Sequence, residues 1–157
     1  RGLGDVYKRQ VLCQMGKLTE VLDKIRSYWG GMLDLGAVTF WEEYDPSVPK
    51  EEQYDMYGDH FGKSLCHAWA ASPIYFLAKY FAGLDLVNKD GVTYVLKPQM
   101  QYFTDLDCIL PVGSDGTVRL AWDGECLEVI ADAEGGVLEL GEEKISLVRG
   151  ETRRVKI

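Results

Sequence analysis

Apolar residues recur at helical spacing in the segment from Lys17 to Gly36. Those that fall three or four positions apart are Val21, Leu22, Ile25, Tyr28, Trp29, Met32 and Leu33. This spacing predicts a helix with Thr19 as its N-cap and Gly36 as its stop. We expect Gly30 and Gly31 to weaken the last turn of this helix or to end it early.

A second helical pattern runs from Ser64 to Ala82, with Ser64 as the predicted N-cap and Gly83 as the stop. Pro73 lies inside this pattern, where it removes one hydrogen bond and clashes with the carbonyl of Trp69, so we expect a kink. Wide apolar faces predict that both helices are buried. In the second helix these faces include Leu65, Trp69, Ile74, Leu77 and Phe81.

From about Leu84 onwards the pattern changes to short alternating runs. These runs are "VTYVL", "TVRLAW", "CLEVIAD", "GVLEL", "KISLV" and "RRVKI", divided by the turn signals "NKDG", "GSDG", "DAEGG" and "LGEE". In the second run, Val118, Leu120 and Trp122 share one face. The pattern predicts an antiparallel meander that forms a β-sandwich of roughly six to eight strands.

The predicted fold class is therefore α+β, with two helices and a long loop in residues 11–84 and a β-sandwich in residues 85–157. The first ten residues, "RGLGDVYKRQ", match no hydrophobic period and carry no initiator Met. We interpret residues 1–10 as a non-native scar and place them outside the fold.

Composition and charge narrow the possible partners. The chain has 157 residues, of which 46% are hydrophobic, and this suffices for one ordinary domain or for pieces of two. A net charge of −8 disfavours nucleic acid and anionic membrane surfaces, because both would repel the protein. The longest apolar stretch is interrupted by Ser72, Pro73 and Lys79, so it predicts a packed helix of a soluble protein and not a membrane span.

The four cysteines are far apart and match no zinc-site spacing, so we expect no metal and no cofactor. Two disulfides remain possible by count, but isolated cysteines in apolar surroundings are usually small core residues. This interpretation of the cysteines as unpaired residues favours a reducing compartment.

The loop between Gly36 and Ser64 is about 27 residues long, which exceeds the usual connection in a compact domain. Its aromatic residues favour an ordered, functional loop, although a loop that only packs over the helix ends explains them equally well. We expect Trp41 to be exposed beside Glu42. An aromatic face packs against a sugar ring, while a carboxylate accepts hydrogen bonds from hydroxyls and activates water.

His67 would lie in the first turn of the second helix, near the returning end of the loop. The helix dipole would favour a neutral imidazole there, suited to hydrogen-bonding a substrate hydroxyl. A histidine that caps or packs at the helix end is the competing interpretation. Cys66 and His67 diverge by about a hundred degrees on a helix, which disfavours a nucleophile–base pair of a thiol protease.

Two linked segments resemble bacterial α-L-rhamnosidases. "GGMLDLGAVTFWEEYDP" and "GKSLCHAWAASPIYFLAKYFAGL" are similar to the last helical hairpin of the catalytic (α/α)6 barrel in that family, and the β-module is similar to its C-terminal sandwich. The family pattern G-A-T-T-x-W-E falls on Gly36 to Glu42, with Val38 in place of the usual threonine. The pattern S-L-C-H-x-W falls on Ser64 to Trp69.

The resemblance implies an inverting mechanism, in which Glu42 is the general base that activates water. It also implies that His67 binds rhamnose, and Trp41 is the predicted aromatic contact for the sugar. The general acid of the family lies upstream, in a part of the barrel outside this sequence. The expected partner is a rhamnose-containing oligosaccharide or glycoside.

Two alternatives remain at this point. One is another (α/α)-barrel glycosidase that acts on a different sugar, because loops choose the substrate on a shared barrel. The other is a non-catalytic carbohydrate-binding or structural module, in which the helices pack beside an accessory sandwich.

Overall fold

The computed structural model describes residues 3–89, 92–114 and 116–157. Residues 1–2 and parts of two predicted turns, residues 90–91 and residue 115, lie outside the described residues. The chain divides into two compact units, Arg1–Tyr75 and Phe76–Ile157. The division falls inside a short helix, earlier than the boundary after residue 84 that the sequence pattern suggests.

Helices and loops form the first unit. Its helical elements are α1 (Leu3–Gln14), α2 (Leu18–Ile25), a π-helical turn (Arg26–Gly30), α3 (Gly31–Asp34), two 3-10 turns (Lys50–Glu52 and Ala68–Ala70) and most of α4 (Ser72–Phe76). Residues 3–10 belong to α1, and the interpretation of residues 1–10 as a non-native scar stays a prediction. The Arg9 guanidinium lies 4.9 Å from the centre of the Trp29 ring, which ties α1 to the next helical segment.

The first predicted helix is confirmed, with a different start. Helical backbone continues from Leu18 to Asp34 through both Gly30 and Gly31, and Lys17 occupies the N-cap position instead of Thr19. Gly36 ends the helix at φ 89°. The Gly36 and Ala37 N–H groups donate to the carbonyls of Leu33 and Met32, at 2.8 and 3.0 Å, which is the Schellman pattern that favours glycine.

The second predicted helix begins later than the sequence pattern indicated. The α-helix starts at Ser72 and not at Ser64, and a π-helical turn, Leu77–Phe81, follows it. Pro73 therefore occupies the first turn, where its missing N–H has no intrahelical partner, so the physical reason for the predicted kink does not apply. Leu65, Trp69 and Ile74 are exposed, contrary to the prediction of a buried face. Within the described chain, no helix has the length and apolar character needed to cross a membrane.

The second unit contains eight strands among the described residues. They are β1 (Leu84–Lys89), β2 (Val92–Leu96), β3 (Leu106–Val112), β4 (Gly116–Trp122), β5 (Cys126–Asp132), β6 (Gly136–Leu140), β7 (Glu143–Leu147) and β8 (Thr152–Lys156). They form two four-stranded sheets, in the orders β1-β2-β6-β7 and β3-β4-β5-β8. One hydrophobic core takes side chains from both sheets, so the unit is sandwich-like, as predicted.

Two details of the sandwich differ from the predicted meander. β2 pairs with β6 in parallel, whereas the other strand pairs are antiparallel. The sequence analysis also missed β1 and β3. β3 contains Pro111, which lacks the N–H needed in a central strand, but β3 is an edge strand of its sheet and tolerates it. The predicted shared face of Val118, Leu120 and Trp122 is confirmed, since all three are buried.

Candidate functional site

Backbone hydrogen bonds join the two ends of the long loop. The Glu42 N–H donates to the Ser64 carbonyl at 2.9 Å, and the His67 N–H donates to the Phe40 carbonyl at 2.7 Å. The Thr39 hydroxyl adds a bond to the Leu65 carbonyl. These contacts bring the two family-like motifs side by side, although more than twenty residues separate them in the sequence.

The arm of the loop after Glu42 is fixed against the first helical segment. The Tyr44 N–H donates to the Tyr28 hydroxyl at 3.0 Å. A Cβ atom at Gly31 would lie only 2.4 Å from the Tyr44 ring, so a side chain there would displace Tyr44. Gly31 therefore permits close packing of the loop on the helix, whereas the sequence analysis had considered it only as a weak point of the helix.

Gln53 organises the middle of the loop, and the sequence analysis missed it. Its side chain is 1% exposed, and its Nε2 donates to the carbonyls of Asp45 and Val48, at 2.5 and 2.8 Å. A buried amide with both donors satisfied can hold a loop without regular secondary structure. The loop is thus an ordered element with its own polar centre.

The far end of the loop is a small hairpin, residues 54–63. Met56 and Asp59 exchange backbone hydrogen bonds of 3.0 Å, and the Lys63 N–H donates to the Tyr54 carbonyl at 3.2 Å. The two residues at the turn, Tyr57 and Gly58, have φ values of 56° and 84°. Positive φ at both central positions is the backbone of a type I′ turn, in which a tyrosine is unusual.

Glu42 lies where the loop ends and this hairpin meet. Its Oε1 accepts a hydrogen bond of 2.6 Å from the Tyr57 hydroxyl, and its Oε2 accepts one of 3.2 Å from the Ser64 N–H. These two donors, Tyr57 first and Ser64 second, lower the pKa of the Glu42 carboxyl, and the nearby charges of His67 and Lys63 act in the same direction. Glu42 is therefore an ionised carboxylate at neutral pH, with 18% of its side chain exposed.

The structure brings His67 to Glu42 but does not place it on a helix. The His67 backbone is extended, with φ −109° and ψ 110°, and the α-helix begins only at Ser72. The helix-dipole argument for its protonation state was therefore wrong. Its Nδ1 lies 4.0 Å from Glu42 Oε2, which is too long for a direct hydrogen bond. The His67 ring packs edge-to-face on Trp69, with ring centres 5.8 Å apart.

Trp41 is buried, contrary to the prediction that it is exposed. Only 4% of its surface is accessible, and its ring packs edge-on against Tyr54 at 5.5 Å. An indole so covered serves the packing of the loop and offers no face to a sugar. The exposed tryptophan of this region is Trp69, at 81%, which the sequence analysis had assigned to a buried helix face.

A cleft of about 750 Å³ in the first unit contains Glu42, Tyr57, His67 and Trp69 in its lining. Its further charged and titratable lining residues are Arg9, Lys24, Tyr28, Glu43, Tyr44 and Asp45. Carboxylates, hydroxyls, an imidazole and an exposed indole on one concave surface can hydrogen-bond a polyol and cover one of its faces.

Within the described residues, no group of three or more His, Cys, Asp or Glu side chains could hold a metal ion. Comparison with protein-family models and with curated proteins gives no match for this chain. The geometry of the cleft and the two linked motifs therefore carry the functional interpretation.

Proposed function

We propose that this chain supplies the general base of an inverting glycoside hydrolase that releases terminal α-L-rhamnose from glycosides or polysaccharides. The observation that supports this most directly is the position of Glu42, whose carboxylate lies in the cleft with one hydrogen bond to each oxygen. The motif around it is the one that resembles the base-bearing segment of α-L-rhamnosidases.

The electrostatics of Glu42 fit a base better than an acid. A general acid must keep its proton near neutral pH, which requires a raised pKa. Hydrogen bonding from Tyr57 and Ser64 has the opposite effect and keeps the proton off the carboxyl group of Glu42. In an inverting reaction the base accepts a proton from water while a second carboxyl group protonates the leaving oxygen.

His67 and Trp69 complete the proposed sugar contacts. The imidazole nitrogens of His67 can hydrogen-bond sugar hydroxyls, and the ring of Trp69 is exposed in the same cleft. Trp69 thus takes over the stacking role that the sequence analysis gave to Trp41. His67 keeps the substrate-binding role that the resemblance implies.

The wider architecture belongs to the same proposal. We assign the helical unit to the end of an (α/α)6 barrel and the sandwich-like unit to the C-terminal β-domain of such an enzyme. The spacing of the two motifs supports this assignment, because the structure pairs Glu42 with Ser64 and Phe40 with His67. The general acid is expected outside this sequence, so we expect the 157-residue chain to bind the sugar without hydrolysing its glycosides.

The test has two parts. The first is titration of the chain with L-rhamnose, followed by NMR, with D-glucose and L-fucose as matched controls. Perturbation of Glu42, His67 and Trp69 by L-rhamnose alone is the expected result. Preference for another sugar would favour a different barrel glycosidase, and no response to any sugar would favour a structural module.

The second part uses a hydrolytically active protein that contains this chain. An aryl α-L-rhamnoside is cleaved and the first anomer released is read by proton NMR. Inversion predicts β-L-rhamnose as the initial product. Release of the α-anomer would contradict the role of Glu42 as a base that activates water.

A further inference from the structure

We propose that Tyr57 is a positioning residue, whose hydroxyl fixes the Glu42 carboxylate in the orientation needed to accept a proton from water. This inference rests on the proposed function, and neither the motifs nor their resemblance assigns a role to Tyr57. The hairpin of residues 54–63 places the Tyr57 hydroxyl against the Glu42 carboxylate.

The contact between the two side chains is short and specific. The Tyr57 hydroxyl donates to Glu42 Oε1 at 2.6 Å, while the Ser64 N–H holds Oε2. With one donor on each oxygen, the plane of the carboxylate is fixed and each oxygen retains a free lone pair for water. A hydrogen bond to an ionised acceptor is stronger than a neutral one, so it can restrain a side chain with three rotatable bonds.

The backbone at Tyr57 gives a second, independent argument. Tyr57 has φ 56°, a left-handed conformation that an aromatic residue rarely adopts, and Gly58 completes the turn at φ 84°. Asn or Gly at the first central position would form the same turn with less strain. Strained positions of this kind cluster at functional sites, where the surrounding structure retains them for the side chain they present.

Packing does not explain a tyrosine at this position. The side chain is 82% exposed, so its burial contributes little to stability. The hairpin itself is closed without it, by the Met56–Asp59 backbone pair and by Gly62, where a Cβ would lie 2.2 Å from the Met56 carbonyl oxygen. What Tyr57 adds is the hydroxyl on Glu42.

Other charged groups act on Glu42, and they set the background for any pH measurement. His67 and Lys63 help to lower the pKa of the Glu42 carboxyl, and the charge of Glu43 helps to raise the pKa of the Tyr57 phenol. The remaining charged and titratable groups of the cleft are Arg9, Lys24, Tyr28, Tyr44 and Asp45. Among these contributions, the hydrogen bond from Tyr57 lowers the pKa of the Glu42 carboxyl most, and a single substitution removes it.

The first experiment needs no catalysis. The carboxyl carbons of the glutamates in the 157-residue chain are titrated by carbon-13 NMR, and the signal of Glu42 is identified by its absence in Glu42→Gln. In Tyr57→Phe we expect the Glu42 carboxyl to titrate at higher pH than in the parent chain. Tyr54→Phe removes a phenol from the same hairpin and should leave the titration unchanged. An unchanged Glu42 titration in Tyr57→Phe would overturn the proposal.

A second variant separates the hydroxyl from the turn. Tyr57→Asn suits the left-handed backbone and lacks the phenol, so we expect it to be at least as stable as the parent chain. The titration of Glu42 should nevertheless move upward, as in Tyr57→Phe. If Tyr57→Asn left the Glu42 titration in place, the turn and not the hydroxyl would be the relevant feature, and the proposal would fail.

Kinetics then connect the contact to the proposed reaction. In an active protein that contains this chain, Tyr57→Phe should lower kcat by about 10- to 100-fold through loss of orientation, with KM little changed. The acidic limb of the pH profile of kcat should move to higher pH. A normal kcat and an unmoved limb would refute the positioning role even if hydrolysis were established. Absence of rhamnoside hydrolysis in the parent protein would instead refute the proposed function, and the NMR titration would still report on the Tyr57–Glu42 contact.

Discussion

Glu42 and Ser64 bind each other twice. The Glu42 N–H donates to the Ser64 carbonyl at 2.9 Å, and the Ser64 N–H donates back to Glu42 Oε2 at 3.2 Å. Ser64 contributes only its backbone to this pair, although the sequence pattern had suggested its side chain as a helix cap. Backbone donors are rigid and cannot rotate away, so the carboxylate is held by the loop closure itself.

The two neighbouring glutamates should differ sharply in an active protein that contains this chain. Glu42→Gln keeps the size of the side chain and removes the basic oxygen, so kcat should fall by roughly 10²- to 10⁴-fold with little change in KM. Glu43→Gln is the matched control and should have only a small effect. Steady-state kinetics on an aryl α-L-rhamnoside measure both variants, and a reversed order would place the base on Glu43.

His67→Ala should act mainly on substrate binding. Its imidazole lies beside Glu42 but 4.0 Å from Oε2, so we assign it hydrogen bonds to the sugar and no proton transfer. We expect KM to rise by about 10-fold or more, because a buried hydrogen bond to the substrate is lost. A fall in kcat at constant KM would show instead that His67 acts in the chemical step.

The two adjacent glycines of the first helix should respond oppositely to alanine. Gly31→Ala places a Cβ atom 2.4 Å from the Tyr44 ring and should lower the free energy of unfolding by about 1–3 kcal/mol. Gly30→Ala meets no atom within 4 Å among the described residues, and should raise it by about 0.5–1 kcal/mol. Urea unfolding of the two variants distinguishes them, and equal effects would contradict the packing of Tyr44 on Gly31.

Tyr94→Phe should stabilise the sandwich-like unit. The Tyr94 ring is fully buried, and its hydroxyl has no hydrogen-bond partner among the described residues. Removing an unsatisfied buried hydroxyl should raise the free energy of unfolding by about 1 kcal/mol. Thermal unfolding at neutral pH measures the change, and a clear loss of stability would reveal a partner for the hydroxyl.

The same tyrosine predicts a pH dependence. Burial first, and the charge of Glu134 second, raise the pKa of the Tyr94 phenol above its usual value. The phenol therefore ionises at lower pH in the unfolded chain than in the folded one. The free energy of unfolding is unaffected by this group below pH about 10 and falls as the pH rises towards the folded pKa. Tyr94→Phe should lose less stability above pH 10 than the parent chain, as urea unfolding across that range would show.

The four cysteines are all free, and they should differ in the rate at which a thiol reagent modifies them. Cys66 is exposed, which contradicts the expectation that the cysteines are core residues, whereas Cys13 is buried and its pKa is raised to about 11. Alkylation of Cys13 in the folded protein should be at least about 100-fold slower than alkylation of Cys66. Mass spectrometry after timed alkylation gives both rates, and Cys66→Ser should abolish the fast phase.

Periodicity by itself determined the α+β class, the first helix and most of the sandwich. Alternation is a local property, so β2, β5 and β6 follow directly from "VTYVL", "CLEVIAD" and "GVLEL". Residue chemistry, together with the resemblance to α-L-rhamnosidases, also indicated Glu42 and His67, which the structure places in one cleft. These are features that residues close in sequence can specify.

Only the tertiary structure decided the features that depend on distant partners. β3 was missed because its proline is tolerated at a sheet edge, and strand order is not a local property. The parallel β2–β6 pair was missed for the same reason. Residues 64–67 pair instead with Phe40 and Glu42 through backbone hydrogen bonds, and the α-helix that the sequence pattern places from Ser64 begins only at Ser72.

The candidate site likewise combines features that the sequence indicates with features that only the tertiary structure decides. The sequence indicated a carboxylate, a histidine and aromatic residues, but it did not indicate which tryptophan is buried. In the folded loop Trp41 packs on Tyr54, whereas Trp69 is exposed. Tyr57 gave no signal at all, because its contact with Glu42 depends on a type I′ turn that a tyrosine does not predict. A hydrogen bond between residues far apart in sequence arises from the folded loop, and this is why only the tertiary structure revealed it.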